Sequence, residues 1–191
     1  MKLILLRHGR TAANEARLYC GWTDIALSPG GRAELEALRA RVNYPDAKGL
    51  RRLTSGMRRA DETLELLYGA RPDARMPAFR EMNFGAFEMR AYAELKARAD
   101  YQAWISDETG EVSTPGGESA ADFRRRVCAA ADALESDALL VCHGGVIAAM
   151  MARWFPREGR NLYQWQPGNG LGYIVELDGA RRAYRAIGPE R

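Results

Sequence analysis

Histidine is almost missing from this chain: 191 residues contain only His8 and His143. Two imidazoles are too few for most protein metal sites, and no D-x-D pair is present, so neither a metal nor a cofactor is expected. Cysteine is nearly as rare. Cys20, Cys128 and Cys142 are odd in number and none lies in a C-x-x-C pair, which argues against a disulfide framework or a cysteine-rich zinc site. Cys128 and Cys142 sit in apolar stretches and read as core thiols. Of the 28 basic residues only Lys2, Lys48 and Lys96 are lysines, an excess of arginine that as a whole reads as coding bias. Positive and negative charges are mixed along the chain, the net charge is only +3, and no basic run is interleaved with aromatics, so a nucleic-acid surface is not expected. No apolar run approaches the roughly 20 residues of a membrane span. The apolar residues 1–6 are too few for a signal-peptide core and stop at Arg7, so a cytoplasmic protein is expected. Repeats, low-complexity tracts and long linkers are also absent. Residues 1–191 therefore read as one domain, large enough to bury roughly 70% of its unfolded surface.

What is present alternates between strand and helix signals. Residues 2–6 form a continuous apolar run, the pattern of a central strand buried on both faces. A polar, glycine-containing loop leads to Pro29. A helix follows from about Gly30, with Leu35, Leu38 and Val42 on one side. Residues 50–54 are a candidate strand weakened by Arg51 and Arg52. Met57, Ala60, Leu64 and Leu67 predict a helix over 56–68, and residues 76–79 a short strand. Residues 80–89 look irregular, 91–105 read as one or two short helices, and 109–117 as a loop. Phe123, Val127, Ala130 and Leu134 mark an amphipathic helix. Residues 138–142 are a second apolar strand, and Gly144-Gly145 opens a helix carrying Ile147, Met150, Met151 and Trp154. Finally, 171–177 and 182–187 flank Asp178-Gly179, a two-residue hairpin signal. The pattern predicts a three-layer α/β/α sandwich with a mainly parallel sheet and one antiparallel strand, and a lid-like insertion, 80–116, over one end.

The two histidines share a context. Each directly follows an apolar strand and precedes glycine: Leu6-Arg7-His8-Gly9 and Cys142-His143-Gly144-Gly145. Ligands of parallel α/β sheets bind beyond the carboxyl ends of the strands, where the two imidazoles would converge if their strands are neighbours. A neutral imidazole is a competent nucleophile near neutral pH and accepts phosphoryl groups readily. Cations and N–H donors aimed at the transferring group stabilise its spread charge. Arg7 adjoins His8, and the start of the helix after His143 favours an anion.

Here the chain resembles the histidine phosphatase superfamily, also called phosphoglycerate mutase-like. Arg7-His8-Gly9-Arg10-Thr11-Ala12-Ala13-Asn14 follows its R-H-G-x-T-x-x-N pattern, and Gly21-Trp22-Thr23-Asp24-Ile25-Ala26-Leu27 its G-x-x-D-x-x-L. Ser55-Gly56-Met57-Arg58-Arg59-Ala60-Asp61-Glu62-Thr63 is similar to S-x-x-x-R-A-x-x-T. Glu81-Met82-Asn83-Phe84-Gly85 is similar to E-x-x-F-G, and His143-Gly144-Gly145 to the second histidine segment. The resemblance implies that His8 becomes a covalent phosphohistidine. It further implies that Arg7, Arg59 and His143 hold the phosphoryl oxygens, that Asn14 adds a neutral donor, and that Glu81 is the acid and base. Arg10, Thr11, Gly21 and Gly144 are implied to surround the phosphate. Arg58 is an alternative to Arg59 if the register slips by one, and Glu88 to Glu81. Glu118 reads as a first-turn helix acid.

The implied activity is hydrolysis of a small phosphorylated metabolite without metal. Residues 80–89 are nearest to the α-ribazole phosphatase-like subgroup, which makes α-ribazole phosphate a candidate substrate. That subgroup shows W-E-G after F-G, whereas this chain reads Ala86-Phe87-Glu88-Met89, so the glycine is lost. The chain lacks the longer insertions of glycolytic mutases, and a short lid admits water, which favours hydrolysis. A cofactor-dependent phosphoglycerate mutase is the alternative, and a non-catalytic phosphate-binding regulator a second. Trp22, Phe87, Tyr92 and Trp104 are read as lid core, with packing on a substrate ring as the other option. A homodimer through an edge strand stays open.

Overall fold

A computed structural model describes residues 1–179 and 181–189. Six strands form one sheet in the order β3-β2-β4-β1-β5-β6. They are β1 (Lys2–Arg7), β2 (Arg51–Thr54), β3 (Ala74–Arg75), β4 (Ala138–Cys142), β5 (Gly172–Asp178) and β6 (Arg181–Ile187). β3, β2, β4 and β1 run parallel, and β5 runs against both β1 and β6. β5 is thus the single reversed strand. The apolar runs at 2–6 and 138–142 occupy the sheet centre because both faces are covered. Leu3, Leu5, Leu140 and Cys142 pack on one side, and Ile4, Leu6, Leu139 and Val141 on the other.

The second side is covered by α2 (Pro29–Arg41) and α3 (Arg58–Tyr68), and the first by α6 (Ala120–Asp132) and α7 (Gly144–Trp154). This is the three-layer sandwich expected. Pro29 enters α2 at a position whose N–H would be unbonded, and the Ser28 side chain accepts from Gly31 N–H as its cap. α7 is apolar nearly all round because most of its residues are buried, with Arg153 as the exposed exception. Among the described residues no helix is long and apolar enough to cross a membrane.

Three details differ from the sequence reading. The strand expected at 76–79 is instead Ala74–Arg75, followed by a 3-10 turn over Pro77–Phe79. Pro77 lacks the N–H a strand ladder needs and has the fixed φ that suits the start of a turn. The β5–β6 pairing runs to Asp178↔Arg181, so the turn starts at Gly179, one residue beyond the Asp-Gly signal, and its other residue, 180, lies outside the described residues. Cys142 is buried as expected, but Cys128 is only half-buried on α6.

Segment 80–116 contains a 3-10 turn (Gly85–Phe87), α4 (Tyr92–Leu95) and α5 (Ala99–Ile105). Phe87, Leu95 and Tyr101 form a small core of their own, with Tyr19, Phe84 and Trp104 against it. Phe87 is therefore core within this segment. Trp22 and Tyr92, by contrast, are 42% and 59% exposed and are not.

Candidate active site

Strands β2, β4 and β1 are adjacent and in register, with Thr54 beside Val141 and Cys142 beside Arg7. The next residue of each chain segment is Ser55, His143 and His8. Three neighbouring strands thus deliver three buried polar side chains to one edge. The imidazoles of His8 and His143 meet edge to face at 5.1 Å between centroids.

His8 has one ring nitrogen engaged and the other free. Its Nδ1 lies 2.7 Å from Gly9 O, and a carbonyl only accepts, so Nδ1 carries the proton and Nε2 keeps its lone pair. Burial, then the charge of Arg59 and less strongly that of Arg7, pushes the His8 imidazole well below its usual range; the Gly9 carbonyl opposes this. The His8 imidazole is therefore neutral at neutral pH. Gly9 is required by packing, since a Cβ there would meet Leu35 Cδ1 at 2.5 Å.

Arg7 and Arg59 supply the cations. Arg59 is 1% exposed, whereas the neighbouring Arg58 points outward and pairs with Glu62, so Arg59 is the arginine that enters the site. Arg59 Nη1 donates to Thr23 O and Nη2 to Gly21 O, while Arg7 Nη1 donates to Pro167 O. Burial lowers both guanidinium pKa values, and Glu81 opposes that shift in each. Four buried side-chain nitrogens among the described residues lack a partner, and three of them are Arg7 Nε, Arg59 Nε and His143 Nδ1. Buried polar atoms are nearly always bonded, so three orphans on the residues that surround His8 suit an acceptor-rich anion.

Glu81 reaches the same place from the irregular segment. Its Oε2 accepts from Gly145 N–H at 2.8 Å and its Oε1 from Met82 N–H. Gly145 allows the approach, because a Cβ there would lie 2.4 Å from Glu81 Oε1; at Gly144 a Cβ would press on the Arg7 guanidinium. Asn14 Oδ1 accepts from both the N–H and the hydroxyl of Thr11, which turns its NH₂ away from that cap. Asn14, Arg7, Glu81 and Gly145 line a cleft of about 420 Å³ whose other walls are mostly apolar, including Leu18, Tyr19, Phe84, Trp104 and Phe123. Among the described residues no three His, Cys, Asp or Glu side chains gather as a metal site.

Three residues of the motif stand elsewhere. Arg10 is half-exposed and leans toward Glu34, outside the cleft. Thr11 is spent on the cap of α1 (Ala12–Glu15). Gly21 gives its N–H to Glu88 and its carbonyl to Arg59, so it builds the arginine's cradle and offers no free amide.

Sequence reading missed two holding groups. Glu88, read as an alternative to Glu81, accepts from the N–H of Gly21, Trp22, Thr23 and Phe84 and from the Thr23 hydroxyl. It ties the loop that holds Arg59 to the segment that holds Glu81. Glu118 precedes its helix and pairs with Arg126 through both oxygens. Arg126 donates to the carbonyls of Ala78, Arg80 and Glu81 and so fixes the backbone that carries Glu81. The lost glycine has a visible cost as well. Met89 sits at φ 58°, a left-handed conformation that penalises side chains by about 1–2 kcal/mol. Met89→Gly, which also loosens the unfolded chain, is expected to gain about 0.5–1 kcal/mol and raise Tm by about 1–4 °C. An unchanged or lower Tm in a calorimetric scan would contradict this account.

The sandwich and its edge define an α/β protein that sets two buried histidines beside two buried arginines at the carboxyl ends of its central strands, next to a cleft. The chain belongs to the histidine phosphatase superfamily (branch 1), which it matches over residues 3–188. It is 31% identical over 186 residues to the adenosylcobalamin/α-ribazole phosphatase of Salmonella typhimurium, covering 93% of this chain and 91% of that protein. The solved α-ribazole phosphatase of Shigella flexneri superposes with a TM-score of 0.84 at 25% identity, over 98% and 96% of the two chains. A phosphoglycerate mutase structure from Thermus thermophilus superposes with a TM-score of 0.75 at 30% identity, over 100% of each.

Proposed function

We propose that the protein is a metal-independent phosphomonoester hydrolase working through a phosphohistidine on His8. The observation that carries the reading is the trio of buried, unpartnered nitrogens of Arg7, Arg59 and His143 around an imidazole whose Nε2 is free. In the first step His8 Nε2 bonds to phosphorus as the P–O bond to the leaving alcohol breaks, and Glu81 gives that oxygen a proton. In the second, Glu81 takes a proton from water, the water oxygen bonds to phosphorus, and the N–P bond breaks to release inorganic phosphate. The developing charge falls on the fixed donors, and the neutral donor of Asn14 completes the set.

The apolar cleft wall supports a leaving alcohol with an apolar or ring-bearing body, and α-ribazole phosphate is the first candidate. Three free cysteines suit a reducing compartment, and the reading places the enzyme in the cytoplasm with no nucleic-acid or membrane partner. β6 is an edge strand, but Arg181, Arg182 and Arg185 on it would bring like charges together in an edge-to-edge homodimer, which disfavours that assembly.

A panel of phosphomonoesters assayed with and without EDTA tests the reading. Turnover that survives chelator supports it, and complete loss in EDTA overturns the metal-free scheme. Conversion of 3-phosphoglycerate to 2-phosphoglycerate would instead promote the mutase. Glu81→Gln is expected to slow alkyl phosphates roughly 10²-fold or more and p-nitrophenyl phosphate far less at the first step, because a phenolate leaves without a proton. Burst kinetics separate that step from hydrolysis. Equal losses on both substrates would remove Glu81 as the acid.

A further inference from the structure

Ser55 heads the S-x-x-x-R-A segment and ends the row of strand-end residues, yet none of the steps above uses it. It is completely buried. Its Oγ lies 2.8 Å from His143 Nε2, and its one other polar neighbour is the Met57 N–H at 3.4 Å. Toward Met57 the hydroxyl oxygen can only accept. Its own proton then has a single acceptor within reach, His143 Nε2. If Nε2 carried a proton instead, the serine O–H would be left unmatched in a site sealed from water, and the pyridine-type lone pair would sit on Nδ1. With Nδ1 protonated the serine proton is matched by Nε2, and the one proton on the pair left without an acceptor is the Nδ1–H.

We infer that Ser55 is a positioning residue that fixes His143 in its Nδ1–H tautomer, so that a neutral imidazole aims an N–H donor at the phosphoryl oxygens opposite His8. His143 Nδ1 is the buried nitrogen without a partner, which is where such a donor would be needed. A phosphoryl dianion has lone pairs and no proton to give. The opposite tautomer would set lone pair against lone pair. Burial, and then the charge of Arg59 with smaller contributions from His8 and Arg7, pushes the His143 imidazole well below its usual range. The ring therefore has one proton, and its place matters. The device differs from the one on His8, whose Nδ1 proton is held by a backbone carbonyl so that Nε2 is left to attack. The two neighbouring histidines thus share one tautomer, one presenting its lone pair and the other its proton.

The inference rests on the phosphohistidine reading for its catalytic meaning, but its test does not. The 191-residue chain has only two imidazoles, so a long-range ¹H–¹⁵N correlation spectrum of the ¹⁵N-labelled wild type, assigned with His8→Ala, reads both tautomers directly. His143 is expected to show a pyrrole-type Nδ1 and a pyridine-type Nε2. A pyrrole-type Nε2 overturns the inference whatever the activity. Ser55→Ala is expected to shift His143 toward the other tautomer or a mixture. It should lower kcat on p-nitrophenyl phosphate roughly 10–10²-fold and weaken inhibition by inorganic phosphate. Ser55→Thr, which keeps the hydroxyl, is expected to retain the wild-type tautomer and most of the rate. Wild-type kcat with an unchanged spectrum in Ser55→Ala overturns it too. Should Ser55→Ala fail to fold, the wild-type spectrum decides alone. A wild type that traps no phosphoenzyme but shows the Nδ1–H ring would sink the catalytic reading and leave the tautomer assignment standing.

Discussion

Replacing His8 with alanine is expected to lower kcat by roughly 10⁴-fold or more, because in the proposed mechanism it removes the atom that bonds to phosphorus. The pocket around it should survive. His8 contributes its backbone N–H to Cys142 O and its carbonyl to Asn169 and Gly170, and alanine keeps those bonds. Arg7, Arg59 and His143 keep their unpartnered nitrogens, so His8→Ala should still bind inorganic phosphate while failing to turn over. Two measurements separate the parts. Wild type quenched during turnover should hold an acid-labile phosphoryl group and His8→Ala none, whereas phosphate titration should find binding in both. A variant hydrolysing phosphate at the wild-type rate would end the assignment. The geometry also sets the pH behaviour of the nucleophile. Burial and the flanking guanidiniums hold His8 neutral, so protonation of the nucleophile does not limit the free enzyme until well below the ordinary histidine range.

The parts of this site that were legible in the sequence are those whose burial leaves a pattern. β1 and β4 read as unbroken apolar runs because each is covered on both faces, and a lone histidine after such a run stands out. Arg59 was legible only through its motif; a single arginine near the start of an amphipathic helix otherwise reads as surface, as Arg58 in fact is. Glu88 and Arg126 escaped for a different reason. Their bonds reach across 65–67 and 45–48 residues into segments without periodicity, and nothing local distinguishes them from solvated charges. The same holds for Gly21 and Thr11. Their motif spacing marks them as part of the site, but not whether they touch substrate or hold what does. Ser55 falls between these cases: its place at a strand end was readable, and its partner was not.

Arg59 carries the other large expectation, because it is cation, donor and anchor at once. Its two terminal nitrogens hold the carbonyls of Thr23 and Gly21, and its buried Nε has no partner, which the proposed mechanism assigns to the substrate. Arg59→Ala removes a buried charge from the phosphoryl group, which for arginines that stabilise phosphoryl transfer costs roughly 10³–10⁵ in kcat. It also leaves two carbonyls of the 21–23 loop unmatched, at about 1–3 kcal/mol each where water cannot reach them, less whatever Glu88 retains by holding that loop's amides. Arg59→Lys separates the contributions. An ammonium restores the charge, but it cannot direct donors at two carbonyls and a phosphoryl oxygen in the fixed fork of a guanidinium. It is therefore expected to recover only part of the rate, remaining roughly 10²-fold or more below wild type, while recovering most of the stability. Steady-state kinetics beside thermal melts distinguishes these outcomes. Were folded Arg59→Ala within about tenfold of wild type in kcat/KM, the buried guanidinium would be scaffolding for the loop, and the charge on the transferring group would have to be met by Arg7 and His143 alone.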